Sequence, residues 1–318
     1  MEAVDWSLAA APTHRPLSPA ELSAYCARIN WALPPAPGAP AAGVLRSLVR
    51  AHALAIPFES FDVTLRVPID ISPRGIFAKL VSARRGGFCL ETSFLLLAAL
   101  QTLGFEVRLR AARVWMRAAA YTPREPPMAR LHVVLVVRAA AGEEWLCDVG
   151  FGGGGPPEPL PLRAGAAAAA CGDVFRVDAG DAAAGEDTFV LFGVQAGAWR
   201  RLYSFEHAGF DAGPLVHAAD FLHVNHFVQA ARGSLFHTMC VASLPLPEGR
   251  VTLLGRELRR KGAEREGAAA AVDVARIADA GEYRAAAARH FGIQLSEGEA
   301  GALFEWARAR EEGAEGRS

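Results

Sequence analysis

The sequence predicts an α+β chain built as three successive regions, and three patterns predict it. Up to about Gly104, helical periodicity alternates with proline-rich breaks such as Pro34-Pro35-Ala36-Pro37-Gly38-Ala39-Pro40. From Phe105, period-two alternation takes over (Phe105-Glu106-Val107-Arg108-Leu109-Arg110), and further strands are read at 131–138, 143–150, 173–177, 188–192 and 199–203. Several antiparallel strands in succession suggest a barrel. The last third is mixed, with helices expected from about Glu282 to His290 and from about Glu297 to Arg310. The alanine runs at 166–170 and 268–271 are read as composition bias.

Composition removes several function classes. A length of 318 residues suggests about two domains, and 52% hydrophobic residues supply ample core. A net charge of −1 argues against nucleic acid or an anionic membrane as partner. No export signal opens the chain, and no apolar run approaches the ~20 residues of a membrane span. Five irregularly spaced cysteines, Cys26, Cys89, Cys147, Cys171 and Cys240, then read as reduced thiols of a cytoplasmic protein.

Arg85-Gly86-Gly87-Phe88-Cys89-Leu90-Glu91 is the most informative stretch. Two glycines after a basic pair make a tight turn. The apolar run after it, closed by Gly104, reads as a buried helix, so Cys89 falls in the first helical turn. Free backbone amides and the helix dipole favour an anion there, and Arg84 and Arg85 are expected to add positive charge. Those are conditions for a nucleophilic thiolate.

A partner for the thiol comes from the next region. Leu131-His132-Val133-Val134-Leu135-Val136-Val137-Arg138 reads as a buried strand, Ala139–Gly142 as a turn, and Glu143–Gly150 as the returning strand. With the turn centred near residue 140, His132 and Asp148 are expected opposite each other, with Cβ atoms roughly 4.5–5.5 Å apart. A lone histidine on an apolar strand is usually a core residue. One registered against an aspartate, which can fix its tautomer and stabilise the imidazolium, reads instead as a catalytic base. The resulting candidate is a Cys89–His132–Asp148 triad for nucleophilic catalysis.

These residues resemble the arylamine N-acetyltransferase family. Its Arg-Gly-Gly-x-Cys-x-Glu motif is matched by Arg85 to Glu91, and its catalytic histidine at the head of an apolar strand by His132. Its Asp-Val-Gly-Phe-Gly-Gly segment is matched letter for letter by Asp148 to Gly153, and Ile56-Pro57-Phe58-Glu59 resembles the segment preceding the nucleophile. The likeness runs from about Tyr25 to Leu162 and returns around Ser234-Leu235-Phe236 and Phe291-Gly292-Ile293. It implies a helical bundle (1–104) carrying the nucleophile, an antiparallel β-barrel (105–215) carrying His132 and Asp148, and an α/β lid (216–318), with a cysteine-protease-like triad. It also implies acetyl-coenzyme A as co-substrate rather than a bound cofactor, and an arylamine or hydrazine as acceptor.

Three departures bear on that expectation. Ser60 and Ser93 stand where the family usually has asparagine, which reads as a matched change in one hydrogen-bond network at the helix start. Gln229-Ala230-Ala231-Arg232 replaces a family Ser-Thr-His-Pro stretch that gives hydroxyls to the coenzyme A side of the cleft. Arg232 remains as a candidate phosphate ligand, and Gly150, Phe151, Gly152 and Gly153 as a backbone approaching the donor thioester. The altered wall keeps open an amide synthase or acyltransferase of secondary metabolism, taking a larger or carrier-protein-bound acyl group. A cysteine hydrolase or transglutaminase-like enzyme and a non-catalytic binding module are the remaining rivals.

Other motifs carry less. Gly150–Gly155 spells G-x-G-x-x-G, but Pro156-Pro157 follows instead of a helix, so neither a dinucleotide site nor a P-loop is expected. His223, His226 and His237 lack carboxylate or cysteine partners at ligand spacing, and no metal is expected. Arg84 and Arg85 are read as solvated or as paired with Glu59 or Glu91. Phe58, Phe88 and Phe151 flank the candidate nucleophile as core or as an apolar acceptor slot.

Overall fold

In the computed structural model the described residues are 14–33, 41–115, 129–180, 188–211, 216–231 and 234–315. The proline-rich stretch 34–40 and Arg232 lie outside them. The first region is helical. Pro19–Arg28 begins at a Ser18 cap, whose hydroxyl accepts from the Glu21 amide while the Glu21 carboxylate accepts from the Ser18 amide. Ala42–Ala55, Phe61–Leu65 and Pro73–Phe77 follow, and Cys89–Thr102 is the helix predicted after the glycine pair. Gly104 closes it at φ +83°, a left-handed conformation that glycine adopts without cost. Between Ile56 and Phe61 runs a two-residue strand, β1 (Phe58–Glu59).

The middle region is an eight-stranded antiparallel sheet. Its strands are β2 (Glu106–Val114), β3 (His132–Arg138), β4 (Glu144–Cys147), β5 (Leu160–Pro161), β6 (Ala166–Ala170), β7 (Asp173–Ala179), β8 (Thr188–Gln195) and β9 (Ala198–Glu206). The order is β5-β4-β3-β2-β9-β8-β7-β6, and the end strands β5 and β6 approach each other, giving the nearly closed barrel that was expected. One correction concerns the alanine run 166–170, which is β6, paired residue by residue with Ala170↔Asp173 through Ala166↔Val177. Its ladder partner, not alanine propensity, makes it a strand.

The apolar run of β3 has a physical reason. Val133, Leu135 and Val137 face the core shared with the Cys89–Thr102 helix, while Val134 and Val136 face the barrel interior. A strand buried on both faces loses its polar alternation.

The last region builds a second sheet, ordered β1-β10-β11-β12-β13, from β10 (Val241–Leu246), β11 (Gly249–Leu254), β12 (Glu257–Lys261), β13 (Val272–Arg276) and the early strand β1. Helices Leu222–Ala230, Ala280–Phe291 and Glu297–Glu315 complete it, the last two packing with Phe61 on this sheet. Among the described residues no helix is long and apolar enough to cross a membrane.

Strand β1 ties the turn before Cys89 in place. Pro57 accepts from the Gly87 amide at 3.2 Å and the Glu59 amide donates to Gly87 at 3.0 Å, while Phe58 pairs with Ser243 on its other side. Gly86 fits because a Cβ there would run into the Pro57 carbonyl oxygen and stand 2.7 Å from Glu59 Cγ. Gly86→Ala is therefore expected to destabilise the fold by about 1–3 kcal/mol, the usual cost of overpacking. Chemical denaturation checks this; an unchanged midpoint would show that the turn yields freely.

Candidate active site

Cys89 occupies the first turn of its helix and is buried. The chain of Asp148 to Gly150 lies directly over it, since a Cβ on Gly150 would stand 2.6 Å from Cys89 Cα. Thr92 donates from its hydroxyl to the carbonyls of Phe88 (3.2 Å) and Cys89 (3.4 Å), tightening the helix start. Cys89 Sγ lies 3.8 Å from the Leu131 carbonyl, so the thiol sits at the head of β3 beside His132.

His132 and Asp148 meet, but not as an opposed pair. The β3–β4 ladder runs Leu135↔Cys147 to Arg138↔Glu144, and His132 is registered with Ala112 of β2 instead. The turn Ala140–Gly142 is a 3-10 turn whose Ala139 amide bonds to Glu143, with Gly142 at φ +79°. This moves the hairpin centre one residue later than expected. Asp148 falls one residue past the end of β4 and reaches His132 diagonally on the same face, a distance that side chains of this size span. His132 Nε2 lies 2.9 Å from Asp148 Oδ2, and Asp148 Oδ1 accepts from the Gly150 amide at 2.9 Å. That leaves Nδ1 as the ring nitrogen for the thiol.

Both members of the pair are buried. Burial disfavours the imidazolium, but the Asp148 charge and hydrogen bond, reinforced by Cys89, outweigh it and raise His132 to about 10. Phe151 and Tyr203 wall the ring, with centroids 5.4 and 5.2 Å from it. The arrangement favours the imidazolium between the Asp148 carboxylate and the Cys89 sulfur, so a proton taken from the thiol would be held on the ring.

The basic residues before the glycines do something other than charge the thiol. Arg85 is bound to Glu59 (3.2 Å), Asp62 (2.9 Å) and Glu299 (3.4 Å), which bears out the expected pairing with Glu59. Its charge is thereby compensated, so the expectation that Arg85 adds free positive charge at Cys89 is corrected. Glu91 pairs with Lys79, not with either arginine. Arg84 adopts φ +53°, and its carbonyl lies 3.5 Å from Arg28 Nη2.

Of the candidate donor-binding residues, Gly150 touches the Cys89 backbone and Phe151 the imidazole. Gly152 lies over the Phe58 ring, and Gly153 turns toward the Ser243 hydroxyl instead of the thiol. A small cleft opens beside Asp148 between Phe58, Phe151, Gly152 and Ser243. Phe236 packs on Phe58 and Phe88 at 5.9 and 6.3 Å, closing an aromatic group near Cys89. Gln229 is engaged elsewhere: its side-chain Oε1 accepts from the Ile69 amide at 2.7 Å.

The two serines do not form one network. The Ser60 hydroxyl accepts from the Val241 amide at 3.1 Å, whereas the Ser93 hydroxyl is buried without a partner among the described residues. Ser60 faces β10 and Ser93 sits a turn into the helix, so one change cannot compensate the other. His237 bonds to the Gln229 carbonyl at 2.6 Å. Among the described residues no three histidine, cysteine, aspartate or glutamate side chains gather as a metal site.

Residues 42–300 match the N-acetyltransferase family profile. An arylamine N-acetyltransferase of Mycobacterium tuberculosis (strain ATCC 25618 / H37Rv) is 34% identical over 291 residues, covering 89% of this chain and 93% of that protein. The chain belongs to the arylamine N-acetyltransferase family. Solved structures of the family agree in fold. The Salmonella typhimurium enzyme superposes with a TM-score of 0.76 at 27% identity, over 91% of this chain and 99% of its own. The Mycobacterium marinum enzyme in complex with CoA superposes with a TM-score of 0.76 at 31% identity, over 89% and 98%.

Within this arylamine N-acetyltransferase framework, sequence reasoning missed Tyr203, Phe236 and Lys79. Tyr203 is paired in β9 with Leu191 and Val114, and the strand order β3-β2-β9 brings it against a histidine 71 positions earlier. The burial of His132 makes a direct test. In Asp148→Asn the opposing charge is gone, so the imidazole should titrate below its ordinary ~6.5 instead of near 10. Because the folded value lies above the unfolded one, the pair's contribution to stability is complete below ~6.5 and is lost as pH rises through about 10. Histidine NMR titration reads both variants; identical midpoints would sink the ion pair.

Proposed function

We propose that the chain transfers an acetyl group from acetyl-coenzyme A to an arylamine, hydrazine or related amine through an acyl-cysteine at Cys89. The observation that carries this is the meeting of Cys89, His132 and Asp148 at one helix start, in a chain of this family. The CoA complex of the M. marinum relative supports the donor, and the relatives' names support the acceptor class.

His132 takes the Cys89 proton and the thiolate attacks the thioester carbonyl. A new C–S bond forms, the bond to the donor sulfur breaks, and the donor leaves as a thiol with the proton from His132. The amine nitrogen then attacks the acyl-cysteine, His132 accepts its proton, and the C–S bond to Cys89 breaks as the amide forms. Asp148 holds the imidazole in one orientation and offsets its positive charge in between. The free amides of the first helical turn would stabilise the negative charge that develops on the carbonyl oxygen. Thioester exchange is nearly isoenergetic, whereas amide formation is downhill and drives the second half. Arylamines suit the site because their low basicity leaves the nitrogen neutral near pH 7.

Intact-mass spectrometry tests the first half. Acetyl-coenzyme A should add one acetyl mass, Cys89→Ala should abolish it, and His132→Ala should slow it by about 10²–10⁴-fold. Acylation persisting in Cys89→Ala would overturn the assignment.

Donor recognition is tested by comparing acetyl-coenzyme A with the acetyl-pantetheine thioester. Two lost neutral hydrogen bonds at 229–232, at roughly 0.5–1.5 kcal/mol each, weaken nucleotide binding without removing it. A clear advantage for acetyl-coenzyme A is expected. Equal rates would mean the nucleotide is not recognised and would favour a carrier-protein donor.

A further inference from the structure

We propose that Lys79 is a positioning residue for the nucleophile: its ammonium group, held between Asp62 and Glu91, keeps the Glu91 carboxylate on the Phe88 amide and so fixes the turn that presents Cys89. The inference rests on the reading of Cys89 as the acyl acceptor.

The geometry starts from an irregular turn. Pro73–Phe77 runs into a π-helical turn over Ala78–Ser82, a wide turn of the kind found at functional sites. Lys79 lies on it, with Nζ 2.7 Å from Asp62 Oδ2 and 2.8 Å from Glu91 Oε1. The other Glu91 oxygen, Oε2, accepts from the Phe88 amide at 3.1 Å. The same oxygen lies 2.7 Å from where a Gly87 Cβ would stand, so the carboxylate is pressed flat on the Gly87-Phe88 backbone. Glu91 is 1% exposed, and no solvent shares its charge. One carboxylate therefore links the π turn to the residue immediately before Cys89.

The charges around Glu91 come from five other elements. Lys79 faces it from the π turn and Glu59 from β1. Asp62 of Phe61–Leu65 shares Lys79, and Arg85 of the glycine turn is bound to Glu59, Asp62 and Glu299 of the last helix. Among the described residues, Lys79 is the one cation in ion-pair contact with Glu91. Burial pushes Glu91 up, Lys79 pulls it back, and it settles at about 7. Burial works to lower Lys79, but Glu59, Glu91 and Asp62 together raise it, so the ammonium stays charged while Glu91 titrates. As pH falls through about 7, Glu91 gains a proton and becomes a poorer acceptor for the Phe88 amide. The presentation of Cys89 weakens in the same range.

The test reads alkylation of Cys89 by iodoacetamide against pH, located by peptide mass spectrometry, in the full chain. The wild-type rate should rise through about pH 7. Lys79→Met should move that rise upward by about one pH unit or more, the effect of removing an adjacent opposite charge. Lys79→Arg should return it toward the wild-type position. Glu91→Gln, whose amide oxygen still accepts from Phe88 but cannot titrate, should remove it. A folded Lys79→Met whose profile superimposes on wild type, or is lowered by the same factor at every pH, would overturn the proposal. So would a rise that survives in Glu91→Gln, which decides the matter if Lys79→Met fails to fold. Alkylation needs no acyl donor. An absence of acyl transfer would therefore count against the proposed function alone, and an unmoved profile in an active enzyme against Lys79 alone.

Discussion

Asp148 divides its carboxylate between two duties, and the site hangs on that division. One oxygen caps the Gly150 amide and the other meets His132 Nε2, both at 2.9 Å. The first bond bends the chain as it leaves β4 so that Gly150 lands on the backbone of Cys89. The second fixes the imidazole against the wall made by Phe151 and Tyr203. A single buried side chain thus locks the barrel to the helix and orients the base between them.

Much of this was legible in the sequence because it depends on local backbone demands. A glycine pair before an apolar run, and a glycine after it, mark a helix start and stop through φ freedom and close approach. The strands of the barrel announce themselves through alternation or, for β3, through its loss. The encounter of His132 with Asp148 was legible in kind although the register was displaced. A hairpin centre shifted by one residue moves the opposing index by two, which preserves the face because side chains alternate with period two. The wrong pairing therefore gave the right contact.

What stayed hidden depends on distant pairing. The alanines of β6 have no strand signal of their own and are strands because β7 lies beside them. Lys79 carries no signal of its own in the sequence, yet it is committed to carboxylates brought by other elements. Removing one partner from such buried pairs costs about 3–5 kcal/mol. Such pairs tie together elements distant in sequence, and that tie leaves no local mark.

The placement of β1 has a consequence for the newborn chain. Phe58 and Glu59 hold the Gly86-Gly87 turn on one side and pair with Ser243 and Ala242 on the other. The ribosome must therefore make more than 180 residues after Phe58 before that strand finds its second neighbour. Until then the segment that supports Cys89 is an open edge, the kind of edge that invites wrong pairing. Long-range closure of this sort is slow. A growing chain thus carries Cys89 long before it carries the structure that holds it in place, and that structure arrives only with the final third of translation.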